Sequence, residues 1–243
     1  MRIPRIHTSV ILQSGISVAL GKNTTRYIVS VLRLKVGQSI TLFNGEGGEY
    51  NSEISSIGKN EISVLVGQFL SIDRESPLKI HLVIGISRGD RMDWIIQKAI
   101  ELGVSQISPV FADRTEVKLH GNRLEKKIAH WQQIAISTCE QCQRNVVPTI
   151  NPALALSRWL DCSQSGLKIL THHLNGQSLQ SLNPKDSEII LLVGPEGGLS
   201  ADELSLCKQN GYESVSLGPR VLRTETAPLA AISIMQTLWG DMG

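Results

Sequence analysis

The stretch "EIILLVGPEGGLSADELSLCKQNG", residues 188–211, restricts the fold more than any other part of the chain. Its apolar residues run without alternation up to Gly194, the pattern of a strand covered on both faces. A proline, an acid and two glycines follow. Ser200 and Glu203 then form an S-x-x-E capping box, which opens a helix that Gly211 stops. Buried strand, glycine turn and capped helix in succession make the unit of a parallel α/β sheet, where ligands sit beyond the carboxyl ends of the strands. The turn is none of the familiar phosphate loops. G-x-x-x-x-G-K-[ST] and G-x-G-x-x-G are absent, and Glu196 would repel phosphate. The nucleophile elbow G-x-S-x-G is absent as well. The loop reads either as a site for a ligand that is not a polyphosphate or as a plain strand-to-helix connection.

"SLGPRVLRTETAPLAAIS", residues 216–233, repeats the design. A strand ends at Leu217-Gly218, a loop carries Arg223 and Glu225, and Thr226 stands where it can cap the helix that follows. Pro228 suits a first helical turn, whose amides lack partners anyway. The same rhythm begins after residue 77. "LKIHLVIGIS", "VSQISPVFA" and "LKILTHH" read as strands. "DRMDWIIQKAIELG" reads as a helix with Met92, Ile95, Ile96, Ala99 and Ile100 on one face and Gly103 at its end, and residues 122–144 read as a long helix. Residues 1–70 differ: "QSITLFNG", "EYNSEISSI" and "EISVLVGQF" are short, partly alternating strands split by turn sequences, which suggests a small barrel. The polar "SIDRESP" marks the boundary, giving domains 1–72 and 73–243.

A chain of 243 residues with 41% hydrophobic and 19% charged residues has the make-up of a folded protein with a core, not of a disordered one. No run of 18 apolar residues suggests a membrane span, and the first residues lack the apolar core of a signal peptide, so a cytoplasmic protein is expected. Cys139 and Cys142 form C-x-x-C, but a second pair of ligands at zinc spacing is missing, so no metal is expected and two helical thiols are the plain reading. Charge is uneven. Residues 1–45 hold Arg2, Arg5, Lys22, Arg26, Arg33 and Lys35 and no acid, while the overall net charge is only +2. A basic end beside a mildly acidic remainder points to a polyanion partner, or simply to a basic solvated face.

"LLVGPEGGLSADE" and "SLGPRVLRTETA" together, with "MRIPRI", "DRMDWIIQKAIELGV" and "EQCQRNVVP", resemble the ribosomal RNA small-subunit methyltransferase E family, and the resemblance covers almost the whole chain. One small departure is "SRGDRMD", where a lysine would be expected near position 88 or 91; arginine keeps the charge. The resemblance implies an α/β fold: a PUA-like β-barrel, then a parallel-sheet domain of the SPOUT superfamily with a trefoil knot, a topology that chains normally avoid. It implies methyl transfer from S-adenosylmethionine to N3 of a uridine in small-subunit (16S) ribosomal RNA, free or in the assembled subunit, by a homodimer. Carried onto this sequence, the cofactor would lie among Leu170, Thr171, Gly194, Pro195, Glu196, Gly198, Leu217, Gly218, Leu222 and Thr226. Arg223 would stabilise charge on the target base. Glu225 is the first candidate to accept its proton, ahead of His172 or His173, and water alone would serve if Arg223 makes the uridine acidic enough. Arg2, Arg5, Arg26 and Arg33 would contact RNA phosphates from the first domain, and Arg88, Arg91, Arg114 and Arg144 from the second. The rivals are a knotted methyltransferase acting on transfer RNA, a non-catalytic RNA-binding assembly factor, and a dinucleotide oxidoreductase, the last lacking a glycine fingerprint.

Overall fold

In the computed structural model, residues 3–162, 165–172 and 176–243 are described; Arg2 and His173 lie outside the described residues. The first unit holds the short strands β1 (Arg5–His7), β2 (Ser17–Leu20), β3 (Ser39–Phe43), β4 (Glu49–Ile57) and β5 (Ile62–Leu70), with a short helix α1 (Lys22–Arg26) that runs into one turn of wider helix at Tyr27–Val31. The strands form one sheet in the order β1-β3-β4-β5-β2, antiparallel except for β1 against β3. Alternation in β4 and β5 sends Ile54, Ile62, Val64 and Val66 inward, where they meet Ile6, Val18, Leu20, Ile28, Ile40 and Leu42. β1 and β2 were not anticipated, because both are too short to show a period.

This unit comprises Met1–Glu75 and also Cys139–Val147, so a single cut after residue 72 does not describe it. The reason is electrostatic. Arg5 pairs with Glu49 and donates to Asn145 Oδ1 at 2.6 Å, Arg74 reaches Glu49 at 3.2 Å, and Asn145 Nδ2 donates to the Ile72 carbonyl at 2.9 Å. Arg144 pairs with Glu75, its Nε donating at 3.0 Å. Burial works against the Glu49 charge, but hydrogen bonds from Arg5, Arg74 and Asn145 and the Arg5 charge outweigh it and hold the carboxyl below the usual range. Cys139 is buried at this end of its helix, and its thiol is pushed far up by a hydrogen bond with Cys142 and by burial. Neither thiol is in a disulfide, and such a shift leaves Cys139 inert. Among the described residues no group of three or more His, Cys, Asp or Glu is arranged to hold a metal ion.

The second unit, Ser76–Thr138 and Pro148–Gly243, alternates strands and helices in chain order: β6 (Lys79–Gly85), α2 (Asp90–Glu101), β7 (Gln106–Phe111), α3 (Asn122–Cys142), β8 (Thr149–Ile150), β9 (Leu154–Ala155), α4 (Leu156–Leu160), β10 (Leu167–Thr171), β11 (Glu188–Val193), α5 (Ala201–Gln209), β12 (Glu213–Val215) and α6 (Thr226–Trp239). The last turn of α3 carries the chain into the first unit. All strands pair in parallel, in the order β12-β10-β11-β6-β7-β8, with β9 on the far end of β7. β11 is buried from Ile189 to Val193, as its unbroken apolar run requires. One face of the sheet packs on α4 and α5 through Val83, Leu192, Trp159, Leu160 and Cys207. On α2, Met92, Ile95, Ile96, Ala99 and Ile100 are buried, and α6 lies against that helix. Buried Gln236 ties the helices: its Oε1 accepts from Ser76 Oγ at 2.7 Å and its Nε2 donates to the Leu102 carbonyl at 2.9 Å. No helix among the described residues is long and apolar enough to cross a membrane.

Candidate active site

The chain leaves β6 outward through β7 to β8, then returns to lay β10, β11 and β12 on the other side. That reversal of strand order opens a crevice at the carboxyl ends. A cavity of about 520 Å³ lies there, walled by the segments after β10, β11 and β12. Its size falls in the range of small-molecule sites. Leu170, Val193, Leu199, Val215, Leu217 and Leu222 give it apolar walls, and bare backbone around Gly194, Gly197, Gly198 and Gly218 gives it polar edges.

Nine of the residues expected around a cofactor line this cavity: Leu170, Thr171, Gly194, Pro195, Glu196, Gly198, Leu217, Gly218 and Leu222. Thr226 is not among its lining residues; Thr224 and Ala227 are. Nor does Thr226 cap α6. It is the first helical residue, and the Arg223 carbonyl accepts the Thr226 and Ala227 amides at 2.9 and 3.0 Å instead. A helix entered through a backbone turn has no vacant place for a side-chain cap.

The β11–α5 loop is built as its sequence suggests. The Gly198 amide donates to the Pro195 carbonyl at 2.8 Å, closing a turn, and Gly198 has φ +68°, a left-handed value natural to glycine. Gly197 has a different reason: a Cβ there would stand 2.9 Å from Arg114 Cβ. Both halves of the capping box form. The Glu203 amide donates to Ser200 Oγ, and the Ser200 amide donates to Glu203 Oε2. Glu203 Oε1 also accepts the Asp113 amide at 2.8 Å, and Ser200 Oγ donates to Asp113 Oδ2 at 2.7 Å.

The catalytic candidates lie in the other loop. Arg223 is exposed, and neither it nor Arg220 makes a side-chain hydrogen bond or ion pair among the described residues. Glu225 Oε2 is buried without a hydrogen-bond partner among the described residues. Neither Arg223 nor Glu225 is among the lining residues, whereas Arg220, between them and Gly218, is one that sequence reasoning passed over. Its signal was a basic residue in the same glycine loop. His172 lines the cavity too.

The expected RNA arginines separate into groups. Arg26 and Arg33 are exposed, with Lys22 and Lys35 on the same segment. Arg5 and Arg144 are a correction: both are buried, with their guanidinium groups taken up by Glu49, Asn145 and Glu75, which leaves no face for a phosphate. Arg88 pairs with Glu116 at 2.8 Å, Arg91 with Glu196 at 3.1 Å, and Arg114 Nη1 donates to the Gly197 carbonyl at 3.2 Å.

The model of the RNA methyltransferase domain matches residues 74–236, and that of the RNA methyltransferase PUA domain matches residues 20–67. A ribosomal RNA small subunit methyltransferase E of Buchnera aphidicola is 38% identical over 242 residues, 99% of this chain and 98% of the relative. The crystal structure of the protein of that name from Neisseria gonorrhoeae, bound to S-adenosyl methionine, is 40% identical with a TM-score of 0.95 over 100% of both chains. A methyltransferase of Legionella pneumophila, in complex with its cofactor SAM, is 37% identical with a TM-score of 0.95 over 99% of this chain and 100% of that one. With one family model spanning most of the chain and relatives this similar over its whole length, the chain belongs to the ribosomal RNA small subunit methyltransferase E family.

Proposed function

We propose that this chain methylates N3 of a uridine in small-subunit (16S) ribosomal RNA, using S-adenosylmethionine held in the cavity at the ends of β10, β11 and β12. The observation that carries the reading is that cavity. It has apolar walls for a purine, backbone edges for polar groups, and, among the described residues, one lining carboxylate, Glu196, that is already engaged by Arg91. The residues present fit the cofactor. Leu170, Leu217 and Leu222 would pack on its purine, and backbone groups near Gly194, Gly198 and Gly218 would meet its ribose and amino-acid parts. When bound, it supplies an electrophilic methyl group on a sulfonium.

The acceptor nitrogen is an imide N–H between two carbonyls, a poor nucleophile until its proton leaves. Glu225 takes that proton at Oε2, the buried oxygen without a hydrogen-bond partner among the described residues. Arg223, unpaired and exposed, donates hydrogen bonds to the uracil oxygens onto which the negative charge spreads. Glu225→Gln should lose most of its turnover; an unchanged pH–rate profile would pass the role to His172 or to water. Arg26 and Arg33 contact the RNA backbone, so affinity should fall with salt by about 0.7–0.9 in log–log slope per neutralised phosphate. The reading carries with it the trefoil knot of the SPOUT domain and a homodimer in the cytoplasm. Half-exposed Ile234 and Leu238 on α6 support a second copy.

The direct test offers radiolabelled S-adenosylmethionine and three acceptors: small subunits from cells lacking this protein, naked small-subunit RNA, and transfer RNA. Label on the ribosomal acceptors at N3 of one uridine is expected. Label on transfer RNA alone would discard the ribosomal assignment, and absence of both label and cofactor binding would favour an assembly factor.

A further inference from the structure

The cavity loop, residues 194–198, is clamped from two sides by arginines expected from sequence to hold RNA. On one side Glu196 Oε1 accepts both the Arg88 backbone N–H at 3.0 Å and Arg91 Nη1 at 3.1 Å. Arg91 stands in the first turn of α2 and Arg88 just before it, on the connection from β6. β6 is the strand paired with β11, so the two connections leave the sheet side by side. They approach so closely that a Cβ on Gly85 would lie 2.4 Å from Pro195 N. On the other side Arg114, after β7, donates to the Gly197 carbonyl.

Glu196 is an exposed loop residue, but its side chain is drawn in and only 22% exposed. Burial by itself would raise its pKa, yet the hydrogen bonds from the Arg88 amide, its own amide and Arg91, with the Arg91 charge, bring it below the ordinary carboxylate value. The carboxylate is therefore ionised and balanced. An unpaired carboxylate beside this cavity would attract a cationic ligand to the wrong point and leave the loop free to turn inward.

We propose that Glu196 and Arg91 act as a pair of positioning residues: locked together, they hold residues 194–198 in the shape that receives S-adenosylmethionine, and Arg91 is not an RNA contact. This rests on the cavity being the cofactor site. The pair acts through the loop backbone and touches no reacting atom. Being part-exposed, it adds little to global stability, so its loss registers in cofactor affinity rather than in the melting temperature.

The test is a double-mutant cycle on the full-length protein with Glu196→Gln, Arg91→Met and both, read by calorimetric binding of S-adenosylmethionine, by thermal melting without ligand, and by RNA binding over a salt series. Each single variant should weaken cofactor binding about tenfold and the double variant no further, because partners in one contact are not additive. Arg91→Lys should recover most of the loss. KM for the cofactor should rise with kcat little changed, whereas general destabilisation would lower kcat and melting temperature at unchanged KM. Cofactor affinity unchanged in both single variants overturns the proposal, as do losses that multiply in the double variant. Weaker RNA binding with a shallower salt slope in Arg91→Met, at unchanged cofactor affinity, also overturns it and returns Arg91 to the RNA track. If the wild-type protein binds no cofactor, the cavity assignment itself falls and takes this proposal with it; wild-type binding that the variants share removes this proposal alone.

Discussion

The two glycine loops of the second unit share a plan and differ in how they use their polar groups. After β11, the groups are engaged: Glu196 with Arg91 and the Arg88 amide, the Gly197 carbonyl with Arg114, and Ser200 and Glu203 with each other and with Asp113. After β12, the tie is slighter: Ser216 Oγ donates to the Gly218 carbonyl at 3.2 Å, and α6 starts without a side-chain cap. Arg220 and Arg223 stay unpaired among the described residues, and Val221 is 78% exposed. A loop whose donors and acceptors are all taken can hold a shape. A loop that keeps charged groups unpaired can deliver them to a substrate, at some cost in order. The first loop is thus suited to a rigid wall, the second to chemistry.

The hardest test of that division is Arg223→Ala. If the second loop supplies the charge-stabilising donor, kcat should fall about 10²–10³-fold with RNA saturating, while cofactor affinity measured by calorimetry stays within about threefold. Near wild-type turnover would remove the division, since the unpaired arginine would then be only a solvated side chain.

The next effect separates crowding from conformation. Gly85→Ala puts a methyl group 2.4 Å from Pro195 N, a backbone atom that cannot swing aside. The first loop must move, at a cost of about 1–3 kcal/mol, and cofactor binding should weaken at least about tenfold. Gly218→Ala in the second loop meets nothing within 4 Å but requires φ +99°. Its cost should stay near about 1 kcal/mol of backbone strain. Chemical denaturation of the two variants checks the difference; equal losses would mean that the loops are equally tight.

How much of this was legible beforehand follows the range of the interactions. The capping box at Ser200–Glu203 spans four residues and could be read directly. So could the helical face from Met92 to Ile100 and the unbroken apolar run of β11. Arg5 and Arg144 could not be placed, because their partners are distant in sequence: Glu49 and Asn145 lie 44 and 140 residues from Arg5, and Glu75 lies 69 from Arg144. The ion pair of Arg91 was out of reach for the same reason: its partner Glu196 lies 105 residues away. An arginine is the same letter in a salt bridge and on a phosphate. Thr226 failed locally. A threonine before a helical run is the usual sign of a cap, but the loop enters α6 through a backbone turn on the Arg223 carbonyl, one residue early.

A third way to probe the first loop is acid. The Glu196 carboxyl is held below its ordinary value of 4.5 in the folded protein. Its contribution is therefore fully present above pH 4.5 and is lost as pH falls through the lower, folded value. Cofactor affinity of the wild type should be insensitive to this group from pH 8 to 5 and drop by up to about tenfold below. Glu196→Gln should start weak and lack that drop. A variant that keeps the wild-type acid response would show that another group governs it.

The smallest effect is the most specific to the comparison, because it sets one helix start against the other. Ser200→Ala removes the acceptor for the Glu203 amide and the hydroxyl that donates to Asp113 Oδ2, leaving a first-turn amide of α5 without its side-chain partner. Loss of a serine cap costs about 0.5–2 kcal/mol, and α5 should show it as faster amide exchange in its first turn. Thr226→Ala removes a side chain that caps nothing, in a helix whose first amides are already held by the Arg223 carbonyl. It should stay within about 0.5 kcal/mol of wild type. The two substitutions are chemically alike, both deleting a hydroxyl at a helix start. A difference in their unfolding free energies therefore measures how far each loop relies on side chains to fix its helix. If Thr226→Ala proves as costly as Ser200→Ala, the second loop is held by a side chain after all, and its unpaired arginines would have to be explained without appeal to a loosely tied loop.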